Sequence, residues 1–335
     1  TVSGAYNLFG ALASPYSMKM LAVMRYRRLH HVWRAGQTFQ DKALREVKVP
    51  VIPVLQFPEG GYANDSTVLI DILEQRHHER SLNPVHTGDA FLAFLLEDFA
   101  DEWLTKCMFQ YRWRREIDHR TVSRWLAFDH YQGGGREQIE TFSTWFAARQ
   151  IERMSNIVSS PMAFELIEET ADEVMGLIDA QAIDRFFFFG SRPSRAEFAF
   201  FGQLSQLAID PTSGDRLRKA YPFCKRWIDN FYDLSGISGD WTAGEAQGSN
   251  LIAGMLKIIG DVYLPFLSAN ASAVAEQKEL LDIEIRGHRV LLRPFKYQAK
   301  CFAELRSRYA ALDVDAQNSI RTSLSRTGCL PYLQG

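Results

Sequence analysis

The strongest constraint on this chain is a change of pattern near residue 90. Before it, short apolar, β-branched runs alternate with helical stretches; after it, strands vanish from the whole middle of the sequence. Residues 6–9 read as a first strand. Ser14-Pro15 is a helix-start signal, a hydroxyl able to cap free N–H groups followed by a proline suited to the first helical position. A helix is expected over residues 18–28 and a second strand over 31–34, ahead of a polar stretch. Residues 49–56 are apolar and β-branched, with Pro50 a candidate cis peptide at the strand's start. Glu59-Gly60-Gly61 makes a turn, residues 62–63 close a hairpin, and Asp65-Ser66 opens a helix over 67–75. The order is β-α-β, then β-β-α, with a linker at residues 81–89.

From Ala90 apolar residues recur at three- and four-residue intervals (Phe91, Phe94, Leu95, Phe99, Trp103, Met108), the mark of a long amphipathic helix. Further helices are expected over residues 137–155, 164–181 and 197–207, broken by Gly133-Gly134-Gly135 and by Gly190-Ser191-Arg192-Pro193. The triple glycine is no phosphate loop, because no strand precedes it and no Lys-Ser/Thr follows. A Gly/Ser/Ala-rich stretch, residues 236–249, marks a boundary. Beyond it come a helix over 251–275 kinked at Pro265, a hairpin turning at Arg286-Gly287-His288, a helix over 295–312 and a shorter one. The expected fold is α/β plus all-α with a small α+β extension, divided at 1–83, 88–240 and 250–335.

A net charge of −2 gives no basic surface for nucleic acid or an anionic membrane. No apolar run reads as the ~20 residues needed to span a bilayer, and no secretory signal stands at the N-terminus. Cys107, Cys224, Cys301 and Cys329 are scattered, as reduced thiols of a cytoplasmic protein would be. The adjacent pairs His30-His31 and His77-His78 point apart on any regular element, so no metal site is expected.

Four features, in this order and spacing, resemble the glutathione transferases over roughly residues 5–235. Ser14-Pro15-Tyr16-Ser17 after the first strand resembles the active-site loop of the serine and cysteine classes. Val49-Pro50 resembles the cis-proline loop before the third strand, Asp65-Ser66 the acidic-Ser pair (commonly Glu-Ser), and Ser194-Arg195-Ala196-Glu197 the capping box of the helical domain, usually Ser-x-x-Asp. The resemblance implies a thioredoxin-like domain followed by a helical domain, with residues from about 250 outside the standard module.

It also implies glutathione as cosubstrate, a small hydrophobic electrophile as partner, and a homodimer whose interface the aromatic middle helices could supply or the tail could cover. The glutathione thiol has a pKa of ~8.5, and a hydroxyl at a helix N-terminus stabilises its thiolate by a hydrogen bond and by the helix dipole. Ser14 stands at that place, with a plain N-cap as its other reading, and Ser17 is a second candidate. Tyr6 is a weaker one; Phe9 stands where the tyrosine classes carry their hydroxyl, and no cysteine occupies the loop. Asp65 and Ser66 would face the γ-glutamyl ammonium and carboxylate, Val49 ahead of Pro50 the cysteinyl backbone, and Lys48 the glycyl carboxylate. Trp103, Tyr111 and Arg112 would line the electrophile pocket, and the acidic run Glu97, Asp98, Asp101, Glu102 reads as a solvated or interface face. Two other functions fit the same frame: a non-catalytic scaffold on this fold, and a glutathione-dependent isomerase or lyase.

Overall fold

The computed structural model describes residues 4–244 and 248–334, with Thr38 by its backbone only; residues 245–247 of the expected boundary and Gly335 lie outside the described residues. The N-terminal unit runs β1 (Tyr6–Gly10), α1 (Pro15–Tyr26), β2 (His31–Ala35), α2 (Gln37–Leu44), β3 (Val54–Gln56), β4 (Tyr62–Asn64) and α3 (Ser66–Arg76). Its sheet has the order β2-β1-β3-β4, with β1 parallel to β2 and antiparallel to β3, which is the thioredoxin-like arrangement. Two expectations need correcting. The polar stretch after β2 is a helix, α2, which starts on Gly36 at φ +93° without a side-chain cap, so no capping residue announces it. The cis peptide precedes Pro53, and β3 begins only after it; Pro50 and the exposed Val49 belong to the loop before.

The helical unit opens with α4 (Thr87–Phe99), a π turn (Ala100–Leu104) and α5 (Thr105–Arg114), one continuous rod. A two-helix hairpin follows, α6 (Glu116–Tyr131) and α7 (Arg136–Glu152), then the short α8 (Met154–Ile157). The rest is α9 (Phe164–Ala182), α10 (Arg195–Ile209), α11 (Pro211–Ala220) and α12 (Pro222–Phe231). Ser194 and Glu197 form a reciprocal capping box at the start of α10. Gly202 lets α10 cross the start of α1, since a Cβ there would lie 2.6 Å from the Pro15 carbonyl oxygen.

The extension comprises α13 (Asn250–Ile258), a second π turn (Ile259–Tyr263), α14 (Leu264–Ala275), the hairpin β5 (Leu281–Ile285) and β6 (His288–Leu292), then α15 (Lys296–Ala310), α16 (Val314–Arg326) and α17 (Leu330–Leu333). The irregularity expected at Pro265 is the π turn just before it, where Gly260 approaches the Thr327 carbonyl oxygen too closely for any Cβ. The rod from Asn250 to Ala275 is, against expectation, long and apolar enough to cross a membrane, yet 67% of its most apolar window is buried inside the protein. It packs on the α4 rod: Phe266 on Trp103, Tyr263 on Phe99, and Tyr309 of α15 on Phe91. One apolar core therefore runs through all three units.

Buried charges tie the units further. Lys19 of α1 donates to Glu97, Asp101 and the Ser66 hydroxyl, and Arg195 of α10 pairs with Glu97 and with Asp71 of α3. Arg308 of α15 reaches the same Asp71 at 2.8 Å. The acidic run is thus not a solvated face: Glu97, Asp101 and Glu102 are buried where the three units meet.

Candidate functional site

The loop between β1 and α1 is held by its carbonyls. Gln40 of α2 donates to the Gly10 oxygen at 2.9 Å, Gln206 of α10 to Leu12 at 3.0 Å, and Arg112 of α5 to Ala13 at 2.9 Å. Arg112 is itself locked by two hydrogen bonds to Asp210, 2.8 and 3.0 Å, and one to Gln206. At the end of this loop Ser14 caps α1, its Oγ accepting the Ser17 N–H at 3.2 Å. A hydroxyl has one proton and two lone pairs, so this cap leaves the proton free, and it meets no acceptor among the described residues. The N-cap and the thiol-donor roles are therefore compatible. Ser17 is different: it is fully buried, and its Oγ accepts the Ala11 N–H from beneath Gly10. Tyr6 points away, its hydroxyl 2.9 Å from His77 Nε2.

Beside the loop opens a cleft of about 310 Å³. One wall is Ala11, Leu12 and Ala13 with Gln40 and Ile52; the other is the α6–α7 hairpin, through Leu126, His130, Phe142 and Phe146. On that wall His130 stacks on Phe142 (4.9 Å, 16°), and Phe142 on Phe146 (5.4 Å, 12°). Burial lowers the pKa of His130, so its ring is held neutral at neutral pH, and burial raises that of Asp129 beside it.

The three residues expected to line an electrophile pocket lie elsewhere. Trp103 is core beneath Phe266, Tyr111 is buried with its hydroxyl pKa pushed up by burial, and Arg112 holds the Ser14 loop from behind. Ile52, ahead of the cis Pro53, borders the cleft, and its backbone makes no hydrogen bond to another described residue. The signal for it was a proline directly before Val54-Leu55-Gln56. Nothing in the spacing singles out Leu126, His130, Phe142 or Phe146, because both hairpin helices mix aromatic and charged residues on every side.

At the start of α3, Asp65 holds φ +73° and its Oδ1 accepts the N–H groups of Thr67 and Val68. Ser66 is buried, with Lys19 Nζ 3.2 Å from its hydroxyl. Asp101 approaches Thr67 Oγ1 at 3.4 Å, and its Oδ1 has no partner among the described residues. Burial raises the Asp101 pKa to about 6 against the pull of Lys19, so it is mainly ionised at neutral pH. Lys48 and Val49 are exposed on the loop before Ile52. Among the described residues no group of three His, Cys, Asp or Glu side chains could hold a metal ion.

Residues 8–81 match the family described as glutathione S-transferase, N-terminal domain, and residues 161–230 match glutathione S-transferase, C-terminal domain. No curated protein matches the sequence. Among solved structures, the chain is similar to a glutathione S-transferase from Methylobacterium radiotolerans in complex with glutathione sulfonate, at 18% identity over 71% of this chain and 96% of that one, TM-score 0.43. It is similar also to a GST-like protein from Pseudomonas syringae (19%, 73% and 74%, TM-score 0.43) and to the beta-etherase LigF from Sphingobium (16%, 68% and 94%, TM-score 0.48). Overlays this loose add nothing to the domain matches. The α6–α7 hairpin and the extension both lie outside the matched regions. With both matched domains in order, and a thioredoxin-like sheet where the first of them falls, the chain belongs to the glutathione transferase superfamily.

Proposed function

We propose that this protein is a cytoplasmic glutathione-dependent transferase in which Ser14 stabilises the thiolate for attack on a small hydrophobic electrophile. The observation that carries the reading is the Ser14 hydroxyl, with its proton uncommitted, at the N-terminus of the 12-residue α1 and one residue past Ala13, which lines the cleft. The donor and the positive end of the helix both favour the charged form of a thiol placed there. Ile52 is suited to pair with the cysteinyl backbone, the role first expected of Val49, and Asp65 and Ser66 remain the γ-glutamyl anchors, with Lys48 for the glycyl carboxylate. The electrophile lies against the ring stack of α6 and α7 instead of Trp103, Tyr111 and Arg112. A homodimer, if formed, uses faces other than the aromatic side of α4, because Phe91, Phe99 and Trp103 are already under the extension.

The test is a steady-state conjugation assay with a general electrophile. Ser14→Ala should lower kcat/KM by roughly tenfold or more, the size expected for one hydrogen bond to a developing or full charge. An unchanged rate in a folded variant removes Ser14 from the mechanism.

A further inference from the structure

Tyr297, at the start of α15 in the extension, donates its hydroxyl to Asp65 Oδ2 at 2.8 Å. That is the carboxylate oxygen left over by the α3 amides, which both use Oδ1. We propose that Tyr297 is a positioning residue that orients Asp65 toward the ammonium of a γ-glutamyl unit, making the extension part of the peptide-thiol site. The proposal rests on the glutathione reading above and deepens it.

The contact is built on both sides. Just before Tyr297, Phe295 is fixed through its backbone to the fully buried Asn270: the Phe295 N–H donates to Oδ1 at 2.8 Å, and its C=O accepts from Nδ2 at 3.0 Å. Just after, buried Gln298 donates to Glu102 at 3.1 Å. The phenol is thus delivered by a rigid turn, although its own ring is partly exposed. Asp65 needs such support, because at φ +73° an L-residue sits in a sparsely populated backbone conformation. A freely turning carboxylate would lose rotamer freedom on binding a cation, and one already bonded through both oxygens loses less.

The surroundings favour a cation. Asp101 is beside Thr67 at the same helix start, and its Oδ1 is buried without a partner among the described residues. Lys19, whose Nζ reaches this helix start at Ser66, is already bonded to Glu97 and Asp101. A neutral phenol on Asp65 fixes the carboxylate without cancelling its charge, which a lysine at the same place would do.

The experiment is calorimetric titration of the full chain with glutathione and with cysteinylglycine, which lacks the γ-glutamyl unit. Tyr297→Phe should weaken glutathione roughly tenfold and leave cysteinylglycine unchanged, with kcat for conjugation preserved and KM for glutathione raised. Asp65→Asn should show the same selectivity, and adding Tyr297→Phe to it should cost nothing further. Glutathione affinity unchanged in Tyr297→Phe, or equal weakening of both peptides, overturns the proposal while the glutathione reading stands. A wild-type chain that binds neither peptide overturns that reading, and this proposal with it.

Discussion

Arg112 shows how much one buried side chain can organise. It forks onto Asp210, touches Gln206, and still reaches the Ala13 carbonyl, so the loop carrying Ser14 rests on an ion pair with almost no exposure. Burial raises the pKa of Asp210, and Arg112 offsets part of that rise. Arg112→Ala should therefore leave a buried carboxylate unpaired and destabilise the fold by about 3 kcal/mol in urea unfolding. A loss below about 1 kcal/mol would show that Asp210 finds another partner. The sequence could place Arg112 on a helix but not say what covers it, since Asp210 lies 98 positions away. The same limit separates Val49 from Ile52. Two prolines three positions apart both precede β-branched residues, and only the start of β3 at Val54 decides between them. Ser14, by contrast, was legible as an N-cap from the dipeptide alone, because that cap is a local hydrogen bond.

At the scale of elements, the π turn in the α4 rod decides where the acidic run goes. One extra residue in a turn shifts which side chains face inward, so Asp101 and Glu102 meet Lys19 and Gln298 instead of water. No three-and-four spacing rule anticipates that shift, whereas the hairpin of β5 and β6 and the long helices were readable from simple alternation and periodicity. Burial, reinforced by neighbouring carboxylates, raises Glu102 to about 8; it raises Asp98 to about 7 although the Tyr263 hydroxyl partly opposes it. These acids hold their protons in the folded state at pH values where the unfolded chain has released them. Stability from this pair is greatest below their unfolded pKa values, near 4, and declines as pH rises through about 7 and 8. The slope is up to about 1.4 kcal/mol per pH unit per group. Glu102→Gln should remove that residue's share of the fall in unfolding free energy between pH 5 and pH 8, up to about 1.4 kcal/mol per pH unit, measured by urea titration at each pH. An equally steep fall in the variant would mean that Glu102 does not hold its proton in the fold.

For the molecule as a whole, the extension is a third structural layer packed on α4, joined to the other two by Arg308, Tyr263 and Tyr297. The two-part plan of sheet and helices was visible in the sequence because each part has its own hydrophobic period. The docking of the extension was not, because its contacts with α3 and α4 span more than a hundred residues and leave no local pattern. The α6–α7 wall of the cleft escaped for a similar reason: its rings face the Ser14 loop only once the rod and α10 have set the loop's position. On the proposed mechanism, a glutathione thiol bound at this loop is held as thiolate by Ser14. The most direct test is an ultraviolet pH titration of the thiol with glutathione saturated by protein. The expected result is an apparent pKa clearly below the free value of ~8.5, returning toward that value in Ser14→Ala; a titration in the wild-type protein that coincides with free glutathione would contradict a thiolate held by Ser14.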